Sequence, residues 1–214
     1  MSYFAQDRIG CTCERTGMSE RTKWQTIARR IRVPLGFVFA GVFLWLAQPT
    51  WETMLLSLLL VAPGVWLRAY AAGYVRKNAE LTRTGPYAYT RNPLYLGSIM
   101  IAFGFALAAA SWIILAALAV LFVVIYLPTI RSEELYLREH FAGFDEYAAK
   151  VPRLLPRLTA AEFPANENAS GGRFSAGQWR HHREYNALMG AGAIYLALAV
   201  RLFLHHHGVM RGLR

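Results

Sequence analysis

Uncharged stretches alternate with short charged ones along the chain. Residues 33–51 carry no charge, and residues 53–75 carry only Arg68. A helix needs about 20 mostly apolar residues to cross a bilayer. Each of these two stretches therefore predicts a membrane span.

Residues 92–130 form a run of 39 uncharged positions. As one straight helix it would measure roughly 58 Å, about twice the hydrocarbon thickness of a bilayer. The run must therefore turn back on itself, and Ala110-Ser111-Trp112 is the predicted turn between a third and a fourth span. A further apolar stretch, residues 186–204, predicts a fifth span, with an amphipathic helix lying in the interface as the alternative.

Charge gives this pattern an orientation. The chain of 214 residues has 23 Lys and Arg against 13 Asp and Glu. Basic residues collect before the first span and between the second and third, while the turns near residues 48–50 and 110–112 have none. The positive-inside rule places the N-terminus, the 76–92 loop and residues 131–184 in the cytoplasm.

Composition excludes other classes of protein. A hydrophobic fraction of 55% excludes a disordered chain and, with so few charges, points away from a nucleic-acid binder. Two cysteines, Cys11 and Cys13, cannot staple a chain of this length, and they lie too close together to form a tetrahedral metal site alone. We therefore predict no metal site and expect membrane lipids as surroundings.

The predicted organisation has four parts. Residues 1–30 form a cytoplasmic N-terminal segment, and residues 31–157 form a membrane core of four spans plus a cytoplasmic helix. A polar loop follows over residues 158–184, and residues 185–214 hold the fifth hydrophobic helix and a tail. The fold class is thus an all-α, multi-pass integral membrane protein.

The hairpin of spans three and four brings its two free ends together. Asn92-Pro93 is a good N-cap and N1 pair, and a helix N-terminus beside Arg91 makes an anion site. Glu133 and Glu134 supply negative charge at the other end. Such a site suits a zwitterion with a carboxylate and a positive centre. The alternative is a set of interfacial ion pairs, with nearby tyrosines as membrane-belt anchors.

An apolar stripe follows the glutamates. It predicts one amphipathic cytoplasmic helix, ended by Pro152 and Pro156, that either covers the mouth of the hairpin or anchors the surface. The stripe consists of Leu137, Phe141, Phe144, Ala148 and Val151.

Three blocks of residues carry a resemblance to a known family. They are T-G-P-Y-A-Y-T-R-N-P-L-Y-L-G at 84–97, Glu133-Glu134 with Leu137 and Phe141, and the segment from Tyr147 to Pro156. Together they resemble the isoprenylcysteine carboxyl methyltransferases, small membrane enzymes related to phospholipid N-methyltransferases. The resemblance covers roughly residues 53–157. Asn92 stands where that family most often has His, and Ala142 where Gly is usual.

The resemblance implies a methyltransferase that binds S-adenosylmethionine on the cytoplasmic side. Enzymes of the resembled family do not have the soluble Rossmann fold. The sequence agrees with this, because no G-x-G-x-x-G follows a predicted strand. Arg91 and the helix N-terminus would hold an anionic group, and Glu133 or Glu134 would pair with the ammonium or ribose. The full expected set for the cofactor is Tyr87, Arg91, Asn92, Pro93, Leu94, Tyr95, Glu133, Glu134 and Tyr147, with Arg91, Glu134 and Arg68 as the catalytic candidates.

The acceptor implied is a lipophilic molecule that reaches the site sideways from the bilayer. Arg68, an ionisable residue within a span, is expected to contact its anionic head or to reach the nearby interface. A carboxylate of the isoprenylcysteine type is the first expectation. A phospholipid or another lipid methylated on N or S is the alternative, and a non-catalytic membrane binding protein on the same fold is a further one.

Overall fold

A computed structural model describes residues 39–75, 81–163, 174–181 and 185–206. The chain divides into two units, Met1–Trp45 and Leu46–Arg214, and the site described below lies within the second. All regular elements in the described ranges are helical, which confirms the all-α prediction. The predictions for residues 1–30, including Cys11 and Cys13, lie outside the described residues.

In chain order the helices are α1 (described over residues 39–46), α2 (Trp51–Tyr74), a 3₁₀ turn (Gly85–Ala88), α3 (Pro93–Ala108), α4 (Trp112–Leu121), a π-helical turn (Phe122–Tyr126), α5 (Leu127–His140), α6 (Phe144–Lys150), α7 (Ala176–His181) and α8 (Tyr185–His206). The longest connection between consecutive helices runs from α6 to α7.

Three helices of the described ranges are long and apolar enough to cross a membrane. They are α2, the continuous helix Trp112–His140 that joins α4 to α5, and α8 over Tyr185–His205. These correspond to the second, fourth and fifth predicted spans. Helix α3 is apolar but has only 16 residues, roughly 24 Å, which is less than the hydrocarbon thickness. Of the first predicted span, residues 33–51, the structure describes 39–51, and α1 covers 39–46 of these.

The turn between α3 and α4 falls where the charge-free run predicted it. Ala110 has a φ of 48°, a left-handed conformation that ends the helix, and α4 begins at Trp112. The turn is tied to the start of α2, because the Thr53 hydroxyl donates to the Ala108 carbonyl at 3.2 Å. The Gln48 amide also donates to the Ala109 carbonyl at 2.7 Å.

Glycines bring α2 and α3 into backbone contact. A Cβ built on Gly97 would lie 2.8 Å from the Gly64 carbonyl oxygen and 2.7 Å from Arg68 Cγ. Only a hydrogen fits between the helices there, as is common where membrane helices pack closely. The close approach places the Arg68 guanidinium against α3, where it donates to the Ser98 hydroxyl.

The single amphipathic helix predicted after the glutamates is wrong, because it is broken in two. Helix α5 ends at His140, and α6 begins only at Phe144, after Gly143 with a φ of 82°. The apolar stripe persists across the break because both pieces face one core. That core contains Phe144, Tyr147, Val151 and Ala161, with Leu137 packed against it.

Helix α7 lies within the stretch predicted as a polar loop. It is docked on α2, since the Ser175 amide donates to the Gly73 carbonyl at 2.9 Å. The Phe174 ring stacks on Tyr70, with centroids 6.1 Å apart. Aromatic packing therefore orders this part of the polar segment.

Candidate active site

A cavity of about 450 Å³ lies between α2, the 3₁₀ turn, the start of α3, and the helices α5 and α6. Its volume is that of a small-molecule site. Every predicted site residue except Glu134 lines it: Arg68, Tyr87, Arg91, Asn92, Pro93, Leu94, Tyr95, Glu133 and Tyr147. The structure therefore brings together residues from four separate stretches of the chain, and their roles toward a ligand stay predictions.

One group of cavity-lining residues, called the helix end, consists of polar side chains on α2, α3, the π-helical turn and α5. Its members are Arg68, Ser98, Tyr95, Tyr126 and Glu133. The Tyr95 hydroxyl donates to Glu133 Oε1 at 2.8 Å, and its ring meets Tyr126 edge-on at 5.7 Å. Tyr126 comes from the π-helical turn, an element that often occurs at functional sites.

A second group of lining residues, called the loop end, is mostly apolar and aromatic. Its members are Leu81, Thr82, Tyr87, Leu137, Phe141 and Tyr147. The Tyr147 hydroxyl donates to the Tyr87 carbonyl at 2.9 Å. Because burial disfavours the charged phenolate, the pKa of Tyr147 is raised above its usual value.

Arg91 also lines the cavity, on the segment that leads into α3. Its side chain is only 13% exposed, and its Nε lies 3.4 Å from Glu134 Oε1 without hydrogen-bond geometry. That Nε has no hydrogen-bond partner among the described residues, and neither does the buried hydroxyl of Thr82. A buried polar group left unpaired costs about 1–3 kcal/mol. Two such groups on the wall of one cavity fit a ligand with polar atoms, including an anionic one near Arg91.

Glu134 lies behind the cavity wall, where it is 8% exposed. Arg153 donates to its Oε2 from Nε at 2.9 Å and from a terminal nitrogen at 2.8 Å. Arg91 approaches Oε1 from the cavity side. Glu134 is therefore a residue that positions Arg91, and Glu133 is the carboxylate that faces the cavity.

Asn92 occupies the N-cap position of α3 as predicted, but its side chain does not cap the helix. Its Nδ2 instead donates to Glu134 Oε1 at 3.3 Å and to the Arg153 carbonyl at 2.9 Å. The expected capping bond is thus wrong. In place of the imidazole usual in the resembled family, the amide braces the buried Glu134.

Residues 151–161 form a strap that holds the 88–91 segment through the backbone. The Arg91 amide donates to the Pro152 carbonyl, the Arg157 amide to Tyr89, and the Ala161 amide to Ala88, each at 3.0 Å. The Thr90 hydroxyl adds a bond to the Leu154 carbonyl at 3.0 Å. The strap fixes the conformation that brings Arg91 to the cavity.

Sequence reasoning missed several residues of the site: Thr82, Ser98, Tyr126, Tyr136 and Arg153. Arg153 had a signal, because two adjacent carboxylates at the end of an uncharged run need a cation, and the Val151-Pro152-Arg153 block supplies one. Thr82 and Ser98 had none, since a single hydroxyl in an apolar stretch carries no pattern. In the part of the chain that the structure describes, no group of three His, Cys, Asp or Glu is placed to hold a metal ion.

Comparison with known proteins shows what the chain is similar to. Residues 53–143 match the phospholipid methyltransferase family. The nickel-cobalt-cadmium resistance protein NccN of Alcaligenes xylosoxydans xylosoxydans is 34% identical over 116 residues, which cover 54% of this chain and 54% of that protein. The cobalt-zinc-cadmium resistance protein CzcN of Cupriavidus metallidurans is 32% identical over 139 residues, covering 60% of this chain and 62% of that protein.

The matched segments thus span little more than half the length of these curated relatives. No solved structure matches the chain. The matched family segment holds the glycine contacts between α2 and α3, both halves of the hairpin and the two glutamates. Residues 53–143 are therefore similar to the phospholipid methyltransferases, which confirms the predicted resemblance to membrane methyltransferases of this kind.

Proposed function

We propose that the protein transfers the methyl group of S-adenosylmethionine to a carboxylate on a lipophilic acceptor of the isoprenylcysteine type. One observation carries this proposal: a single cavity combines Arg91 and the N-terminus of α3, the Glu133 carboxylate and an apolar aromatic end. These are complementary to an α-carboxylate, an α-ammonium and an adenine. From the distribution of Lys and Arg, we place this site on the cytoplasmic face.

The residues fit the methyl donor. Arg91, whose Nε makes no hydrogen bond among the described residues, binds the carboxylate together with the amides of Leu94 and Tyr95 at the start of α3. Glu133 binds the ammonium, and Tyr95 holds Glu133 in place through its hydroxyl. When bound, S-adenosylmethionine would supply an electrophilic methyl group. The protein's contribution is to align the two reactants and to exclude water from between them.

Arg68 is the residue we assign to the acceptor. Arg68 lies in α2, seven residues before Val75. Both residues line the cavity, so the cavity extends about 10 Å along the axis of α2. The hydrogen bond to Ser98 holds the Arg68 guanidinium at the helix end, on the side of the long apolar helices. There it binds an anionic group of a molecule that arrives from the bilayer. A carboxylate bound in this way is already nucleophilic and needs no general base.

A phospholipid amine is the second candidate acceptor, and two observations favour it. The matched family is named for phospholipid methylation. Glu133 also lies on the cavity wall, where a carboxylate can take the proton that an amine must lose before attack. Arg68 would then bind the lipid phosphate.

Binding of the donor is the first test. Protein purified in detergent is expected to bind S-adenosylmethionine in calorimetric titration, and Arg91→Ala is expected to weaken binding tenfold or more, about 1.4 kcal/mol. Arg138→Ala is the matched control, because Arg138 lies on α5 but pairs with Asp145 at the surface, with its side chain 53% exposed. Unchanged binding in Arg91→Ala would refute the site. Absence of binding in the wild type would favour the non-catalytic alternative.

The acceptor is identified by the chemistry of the product. Protein supplied with radiolabelled S-adenosylmethionine and a membrane lipid extract is expected to label a lipid-soluble product that loses its label in base. Methyl esters hydrolyse under these conditions, whereas N-methyl groups persist. A base-stable product that requires Glu133 would establish the phospholipid alternative.

A further inference from the structure

Thr82 has an unusual position on the cavity wall. The residue is 9% exposed, and its Oγ1 is buried without a hydrogen-bond partner among the described residues. Rotation about χ1 by about 120° moves the hydroxyl of a threonine to the position that its methyl group held, while the methyl group takes the position of the Cβ hydrogen. The hydroxyl of Thr82 can therefore reach a ligand in the cavity that its residue lines.

The surroundings of Thr82 differ from those of the charged groups. The other residues of the loop end are mostly aliphatic and aromatic, among them Leu81, Tyr87 and Phe141. The charged side chains Arg68 and Glu133 belong to the helix end, and Arg91 lies on the segment that leads into α3. A ligand with an aromatic, hydroxylated part and a separate charged part would satisfy both ends.

We propose that the Thr82 hydroxyl binds the adenosine part of the methyl donor, while Arg91 binds its amino-acid part. This inference rests on the proposed function, since it names the orientation of the donor in the same cavity. It adds a binding residue outside the motif at 84–97. The adenosine then lies at the loop end, and the methyl group faces Arg68 and the acceptor.

Replacement by valine separates this role from a structural one. Thr82→Val keeps the shape and removes the hydroxyl. In the ligand-free protein, removal of an unpaired buried group is expected to leave the thermal midpoint unchanged or raised. Binding of S-adenosylhomocysteine is expected to weaken about fivefold, within the range of one neutral hydrogen bond. Thr82→Ser restores the hydroxyl and is expected to restore the affinity.

Thr90→Val is the matched control for stability. Thr90 is also buried, but its hydroxyl already donates to the Leu154 carbonyl. Its replacement is therefore expected to lower the thermal midpoint, in contrast to Thr82→Val. A fall of equal size in both variants would show that Thr82 has a partner within the protein and would overturn the inference.

Two ligands locate the contact along the donor. Methylthioadenosine contains the adenosine part of S-adenosylhomocysteine but lacks its amino-acid part. Thr82→Val is expected to weaken both ligands by the same factor, whereas Arg91→Ala weakens only S-adenosylhomocysteine.

The binding results distinguish failure of the Thr82 assignment, of the proposed donor orientation and of the proposed function. If the wild type binds S-adenosylhomocysteine and Thr82→Val binds it equally well, the Thr82 assignment fails while the proposed function stands. If the wild type binds S-adenosylhomocysteine but not methylthioadenosine, adenosine does not make its own contacts at the loop end, and the proposed orientation is wrong. If the wild type binds neither ligand, the proposed function itself fails.

Discussion

Glu134 contacts two arginines, Arg153 at 2.8 Å and Arg91 at 3.4 Å, while only 8% of the residue is exposed. Removal of one partner from a buried ionic group leaves the others uncompensated. Glu134→Gln keeps the size of the side chain and removes its charge. We expect a loss of about 3 kcal/mol in the free energy of unfolding, measured by denaturant titration in mixed micelles.

The surface pair Arg138–Asp145 is the control for this prediction. It is as close, at 2.7 Å, but its side chains are 53% and 75% exposed. Asp145→Asn is expected to change stability by less than about 1 kcal/mol, because water screens the pair. Equal losses in Glu134→Gln and Asp145→Asn would contradict the buried network.

The contribution of Tyr147 to the stability of the protein depends on pH in the alkaline range. Burial raises the pKa of its phenol above the usual value of 10.0, so the unfolded state loses this proton first. The contribution of Tyr147 to stability is therefore complete below pH 10 and falls as the pH rises further. Tyr147→Phe removes the bond to the Tyr87 carbonyl and is expected to cost about 1 kcal/mol at pH 8. The difference between wild type and variant should narrow above pH 10, and a constant difference would contradict the assigned cause.

At the scale of single residues, the sequence predicted which side chains meet but not how they pair. Arg91 and Glu133 could be placed because the charge-free run must fold back, and its two ends then coincide. The choice between Glu133 and Glu134 depends on helix rotation, since adjacent residues point about 100° apart around a helix. The rotation of α5 is set by its packing against the strap, where Arg153 contacts Glu134. No local sequence pattern predicts that contact.

At the scale of elements, the contact between α2 and α3 is the one most sensitive to added volume. Gly97→Ala would place a methyl group 2.8 Å from the Gly64 carbonyl oxygen and 2.7 Å from Arg68 Cγ. We expect a loss of about 2 kcal/mol in stability from this overpacking. We also expect methyl transfer to fall further than donor binding, because Arg68 is displaced. Binding and turnover measured on the same preparation check this.

Gly192 provides the matched control on α8. A Cβ built there has nothing within 4 Å among the described residues, and alanine is the better helix former by up to about 1 kcal/mol. Gly192→Ala is therefore expected to leave stability unchanged or raised. If both alanine variants behave alike, the close approach of α2 and α3 does not determine stability.

The ends of the helices were predicted correctly where one physical constraint determines them. They were missed where contacts distant in sequence, or a special backbone conformation, also contribute. The turn at Ala110 follows from bilayer thickness alone. The break at Gly143 was missed because the apolar stripe continues through it, so periodicity indicated one helix. A left-handed glycine and a shared core satisfy the same stripe with two helices. Helix α7 was missed because its order comes from Phe174 stacking on α2, a contact distant in sequence.

At the scale of the whole molecule, the distribution of charge predicts which side of the membrane each segment faces. Cys11 and Cys13 are the only cysteines of the sequence and lie in the basic N-terminal segment. A membrane-impermeant thiol reagent is therefore expected to label the protein in inverted membrane vesicles but not in intact cells. Labelling in intact cells would reverse the orientation and place the proposed site on the outer face.

The same experiment can be extended to the far end of α8. With five spans, the C-terminus is expected outside. A cysteine introduced at Leu213, in a chain with Cys11 and Cys13 replaced by serine, should be labelled in intact cells. Labelling only in inverted vesicles would indicate that α8 does not cross the bilayer.

Hydropathy predicted the existence of the long helices, whereas the shortness of α3 followed only from the position of Asn92 and the left-handed Ala110.

The strap determines the order in which a functional protein can be completed during synthesis. Every side chain proposed to bind the methyl donor or acceptor lies before residue 152, so all of them are synthesised before the strap is complete. The segment around Arg91 acquires its backbone partners only when Pro152, Arg157 and Ala161 are available. A chain that ends at residue 150 would contain the complete set of binding side chains without the backbone bonds that hold Arg91 in place.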